Sequence, residues 1–119
     1  MDRELRLRLM QEGLDVDSAL DRFMDNEEMY CRFLLKFFED ANYGRLQEAF
    51  SQKNAKECFE AAHALKGVIL NLGMDRLAGE IKPIVEIFRS GTCEGADKGL
   101  EQFNESFRQL RDHLMTLLA

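Results

Sequence analysis

Apolar residues recur at three- and four-residue steps through most of this chain, and no other feature limits its folding choices as much. Met29, Tyr30, Phe33, Leu34, Phe37 and Phe38 follow that spacing; so do Leu77, Ile81, Ile84 and Phe88, and again Leu100, Phe103, Phe107, Leu110, Leu114 and Leu117. It gathers one apolar stripe on a helix, whereas a strand needs strict alternation. Composition supports the helix. There is one Pro, and β-branched residues are sparse outside Val68-Ile69 and the stretch from Ile81 to Ile87.

Caps and stops divide the pattern. A short helix is predicted over 3–11, ending at Gly13, and a second from near Asp17 to about Asn26, with Leu20, Phe23 and Met24 on one side. Asn26 followed by Glu27 and Glu28 is a good start for the Phe-rich helix, an amide cap with first-turn acids that suit the helix dipole. A shorter piece over 43–51 carries Leu46, Ala49 and Phe50. Asn54, three residues before Glu57, resembles a capping box and opens a helix to Leu72 that stops at Gly73. Further helices are predicted over 75–90, ended by Gly91, and over 97–118, with a loop at 92–96. Pro83 removes a hydrogen bond to the carbonyl of Gly79, which predicts a kink. The expected fold is all-α: an antiparallel up-and-down four-helix bundle with one or two short additional N-terminal helices, in a single domain over 1–119.

Several functions are disfavoured. A net charge of −6 without a basic stripe argues against a nucleic-acid module. The apolar runs fall far short of the about 20 residues of a membrane span, and the charged start Met1-Asp2-Arg3-Glu4 is unlike a signal peptide. Cys31, Cys58 and Cys93 share no CxxC spacing, and with His113 they offer no metal-ligand spacing. A cytoplasmic, monomeric protein without a metal is expected, and Met1 favours a free protein over a piece of a larger one.

The 54–72 helix is where chemistry concentrates. At about 100° per residue, Cys58, Ala62, Leu65, Ile69 and Leu72 share the core sector, while His63, Lys66, Gly67 and Leu70 form a group roughly 130° away. Lys56 precedes that group by two turns, and Phe59 lies one turn before His63 on the Lys66 side. An outward His63 is not an interior imidazole satisfied by the core. Gly67, mid-helix, costs about 1 kcal/mol relative to Ala and leaves the imidazole without a flanking side chain. Lys66 puts an ammonium within reach of anything attached to the ring. Imidazole normally titrates near ~6.5, so a neutral ring with a free lone pair is abundant near neutral pH. Such a ring can attack phosphorus, and a fixed cation stabilises the charge on the transferring oxygens.

The run Ala62-His63-Ala64-Leu65-Lys66-Gly67, followed by Asn71-Leu72-Gly73 and Leu77, resembles the histidine-containing phosphotransfer (HPt) family, whose signature is His-x-Leu-Lys-Gly on an exposed helix. The resemblance implies that His63 carries a phosphoryl group on Nε2, Lys66 supports it and Gly67 permits access. It also implies a phosphocarrier without kinase activity or a cofactor of its own. Its partners would be receiver domains, of response regulators or hybrid histidine kinases, which contribute an aspartate and Mg²⁺. Two features depart from the family pattern. Val68-Ile69-Leu70 stands where small residues are common, and Val85, beside Glu86, matches a position often polar and facing the phosphohistidine. Val85, Phe59 and Leu70 are instead assigned to an apolar docking patch, with Lys56 and Lys82 as nearby cations. Two other readings remain: the phosphoacceptor part of a histidine kinase, disfavoured because no Gly-rich ATP-binding region follows and Ala64 is not an acid, and a helical docking module that is never phosphorylated.

Overall fold

Helix starts in this chain are written in short polar side chains. Five helices open on an Asp or Asn whose side-chain oxygen accepts a first-turn N–H, answering a donor that a helix start leaves unpaired. The computed structural model describes all 119 residues, in seven helices: α1 (Arg3–Gln11), α2 (Val16–Arg22), α3 (Glu27–Phe37), α4 (Ala41–Ser51), α5 (Ala55–Asn71), α6 (Asp75–Arg89) and α7 (Asp97–Leu118). Asp2, Asp15, Asn26, Asp40 and Asn54 cap α1 to α5 in turn. The chain is all-α; its one β feature is an isolated bridge between Leu14 and Met74. No helix is long and apolar enough to cross a membrane.

Some boundaries differ from the sequence expectation. The second helix starts at Val16 and ends at Arg22, well before Asn26. Met24 and Asp25 take left-handed φ values of 54° and 59°, which end a right-handed helix. Met24 is therefore 90% exposed instead of sharing a stripe with Leu20. The α3 stripe is also narrower than its spacing suggests. Tyr30, Leu34 and Phe37 are buried, while Met29 and Phe33, one residue earlier on the wheel, lie on the rim with Phe33 41% exposed. Pro83 faces solvent and leaves α6 an uninterrupted helix.

One continuous apolar core joins the helices. α5 packs along both α4 and α6, and α6 and α3 each pack on α7. Rings fill the core where α3, α4 and α7 meet: Tyr43 stacks on Phe107 at 3.9 Å between centroids, and Phe37 and Phe38 meet Phe107 edge-on. These contacts leave one face of α5 without a covering helix, and that face holds His63.

Candidate functional site

The site is built on α5, and its geometry starts from how that helix begins and ends. At the start, Asn54 Oδ1 accepts the Glu57 N–H at 3.1 Å. The reciprocal half of a capping box is missing. The Asn54 N–H donates to the Ala49 carbonyl instead, and the Glu57 carboxylate takes Arg45 of α4 at 2.7 Å. That guanidinium, which also reaches Glu60, holds the Glu57 carboxyl below the ordinary carboxylate range and ties α4 to the first turns of α5.

At the end, the Met74 N–H donates to the Ile69 carbonyl and the Gly73 N–H to the Leu70 carbonyl, the paired bonds of a Schellman turn. The turn needs Gly73 at φ +72°, and a Cβ there would stand 2.7 Å from the Asp15 carbonyl oxygen. The last carbonyls are also taken from outside the helix. Arg22 donates to those of Leu70 and Asn71, each at 2.9 Å, and the buried Tyr30 hydroxyl donates to that of Leu72 at 2.9 Å. The C-terminal end of α5 is locked from three directions.

Between these ends the wheel holds. Cys58, Ala62, Leu65, Ile69 and Leu72 are buried; His63 and Gly67 are exposed, Leu70 is 43% exposed and Lys66 is half-buried. A Cβ built on Gly67 meets nothing within 4 Å, so the surface one turn after His63 is bare. Lys66 enters no ion pair, nor do Lys56 and Lys82, both exposed. The Lys66 charge is therefore uncommitted to any carboxylate of the fold.

The His63 imidazole is not free-standing. It stacks on Phe59 with centroids 5.3 Å apart and planes 18° from parallel. Arg89, in the last turn of α6, holds its guanidinium 4.8 Å from the centre of the same phenyl ring, and its Nε donates to Glu86 at 3.2 Å. Sequence reasoning missed Arg89. The signal available was the three-residue α5–α6 turn: two helices folded back on each other set the last turn of one beside the first turns of the other. Val85, assigned above to an exposed patch, is fully buried. α6 is covered by both α5 and α7, so its apolar stripe is wider than the single row of Leu77, Ile81, Ile84 and Phe88, and Val85 belongs to it.

Other reactive groups lie elsewhere. All three cysteines are free, and burial beside Cys93 pushes the Cys58 thiol up to about 12, which makes it a protonated core side chain. His113 is exposed on α7, with Nδ1 2.8 Å from Glu12 Oε1; it is the only histidine whose ring nitrogen pairs within the fold. A groove of about 510 Å³ runs beside the C-terminal half of α5, lined by Phe23, Phe33, Phe37 and Lys36 opposite Val68 and Leu72.

One face of α5 thus carries an exposed, unpaired imidazole, a lysine outside any ion pair and a glycine with open space over it. No curated protein and no solved structure matches the chain. The family model for the Hpt domain matches residues 33–114, which spans α4 to α6, the C-terminal part of α3 and most of α7. With more than half of its residues matched, the chain belongs to the Hpt domain family, phosphocarriers that work with receiver domains in the phosphorelays of two-component signalling.

Proposed function

We propose that the chain, acting as one unit over residues 1–119, accepts a phosphoryl group on His63 from a receiver-domain aspartate and passes it to another. The observation that carries this reading is the pairing state of the two histidines: His113 is engaged by Glu12, while both nitrogens of His63 are free on a face that no other helix covers. α4 to α7 form the antiparallel up-and-down bundle that presents α5.

The transfer needs little covalent machinery from the protein. A neutral imidazole nitrogen, Nε2 by family resemblance, attacks phosphorus in line with the aspartyl oxygen. The N–P bond forms as the P–O bond breaks, the carboxylate leaves, and the proton on the other ring nitrogen goes to solvent. Catalysis is then positioning and charge. Lys66 lies one turn from the ring and supports the transferring oxygens, while the receiver brings Mg²⁺ with its aspartate. Gly67 gives the receiver's backbone room to approach. Leu70 and Phe59 supply apolar contact around the ring, and Lys56 and Lys82 add positive charge toward an acidic receiver site. The chain carries no kinase activity and acts in the cytoplasm as a monomer.

The test uses the two histidines against each other. Incubated with a phosphorylated receiver domain, the wild-type chain and His113→Gln should become labelled, and His63→Gln should not. Acid-labile, base-stable label would identify a phosphoramidate. Label retained by His63→Gln would sink the proposal.

A further inference from the structure

The His63 ring has no hydrogen-bonding partner to orient it. An exposed histidine on a helix ordinarily moves between two χ1 wells, and in each the attacking nitrogen points in a different direction. A nucleophile that wanders in this way loses the advantage of a preset line of attack. In this fold the orientation has a visible source. The imidazole lies 18° from parallel to the ring of Phe59, four residues earlier on the same helix face. Phe59 is itself half-buried and held by the Arg89 guanidinium 4.8 Å from its centre, and Glu86 anchors Arg89 through both carboxylate oxygens at 3.3 and 3.2 Å. The sequence Glu86, Arg89, Phe59, His63 thus runs without a gap from α6 to the reacting ring.

We infer that Phe59 is a positioning residue for phosphotransfer, its phenyl ring fixing the His63 imidazole by stacking and being fixed in turn by Arg89. This rests on the phosphoacceptor reading and adds to it what orients the ring. It departs from the sequence expectation, in which Phe59 was a docking contact only. The two roles make different demands on the phosphodonor. A docking contact matters only when a protein docks; an orienting contact matters for any donor, however small.

The experiment therefore compares a receiver domain with phosphoramidate. With the small donor the imidazole attacks phosphorus, the P–N bond to the leaving group breaks, and ammonia departs with the ring's N–H proton as ammonium. Phe59→Leu keeps apolar bulk and removes the π face; Phe59→Tyr keeps the face. Phe59→Leu should slow labelling by both donors by a similar factor, about three- to tenfold, the range a lost aromatic stack sets. Phe59→Tyr should restore both rates. The carbon-bound ring protons of His63 should show an upfield ring-current shift in the wild type and the Tyr variant that disappears in the Leu variant. Arg89→Ala should give an intermediate shift and an intermediate rate.

Wild-type labelling of Phe59→Leu by phosphoramidate, with only receiver transfer slowed, would return Phe59 to a docking role and overturn the proposal. Arg89→Ala indistinguishable from wild type in shift and rate would overturn the part given to Arg89. A wild type that neither donor labels would bring down the phosphoacceptor reading itself. No Phe59 effect can imitate that result.

Discussion

The two halves of α5 are built on opposite terms. Toward Gly73 every group that the helix end leaves open has a partner: a Schellman turn, the Arg22 guanidinium and the Tyr30 hydroxyl together take the carbonyls of Ile69, Leu70, Asn71 and Leu72. Around His63, two turns earlier, the outer face has a ring with free nitrogens, a lysine without a carboxylate and a glycine with nothing opposite it. A rigid support under an undersatisfied surface is what transfer between proteins requires. The locked end holds α5 in the fold, while the open surface leaves its bonding capacity unused.

That contrast yields substitutions that should separate stability from transfer. The largest effect is expected at the locked end. Gly73→Ala puts a Cβ at φ +72° and 2.7 Å from a backbone oxygen, and should cost about 2–4 kcal/mol in urea unfolding. Phosphotransfer by the fraction still folded should keep its rate, because nothing near His63 changes. Loss of transfer in fully folded protein would show that the two halves are not independent.

Next is Lys66, on the open half. Lys66→Ala should slow transfer from a receiver about tenfold, the equivalent of one uncommitted cation near the transferring oxygens. The urea midpoint should move little, as no ion pair is broken. An unchanged rate, measured by rapid quench, would assign the charge to Lys56 or Lys82.

The smallest and most discriminating effect belongs to Gly67. Because an added Cβ meets open space, Gly67→Ala should stabilise the fold by up to about 1 kcal/mol. Gly67→Gln should keep most of that gain and yet slow transfer by crowding the receiver's approach. The thermal midpoint and the transfer rate of the two variants decide the matter: a destabilised Gln variant would mean that Gly67 is needed for packing, and an unslowed one that it is not needed for access.

How much of this was legible beforehand follows the distance over which each feature is decided. The caps at Asn26 and Asn54, the stop at Gly73 and the division of α5 into a buried and an open face depend on residues within one or two turns, and each is found where the spacing puts it. The Hpt resemblance rested on the same short run, and the family match bears it out. What sequence reading missed is decided across the chain. Arg22 reaches carbonyls 48 and 49 residues away, and Arg89 reaches Phe59 only once α6 has folded back on α5. Val85 was misjudged for a related reason: periodicity reports one apolar stripe, and α6 is pressed from two sides. The half-formed capping box at Asn54 was decided by Arg45, on another helix, taking the Glu57 carboxylate.

The family match begins at residue 33, while the groups that close the end of α5 are the Asp15 backbone N–H and the Arg22 and Tyr30 side chains. The matched stretch therefore holds the helix with His63, and much of what closes that helix lies upstream of it. The collar is hydrogen-bonded and comes from the entry to α2, from α2 and from α3, so how firmly the far end of the His63 helix is held is decided by residues that never touch the histidine.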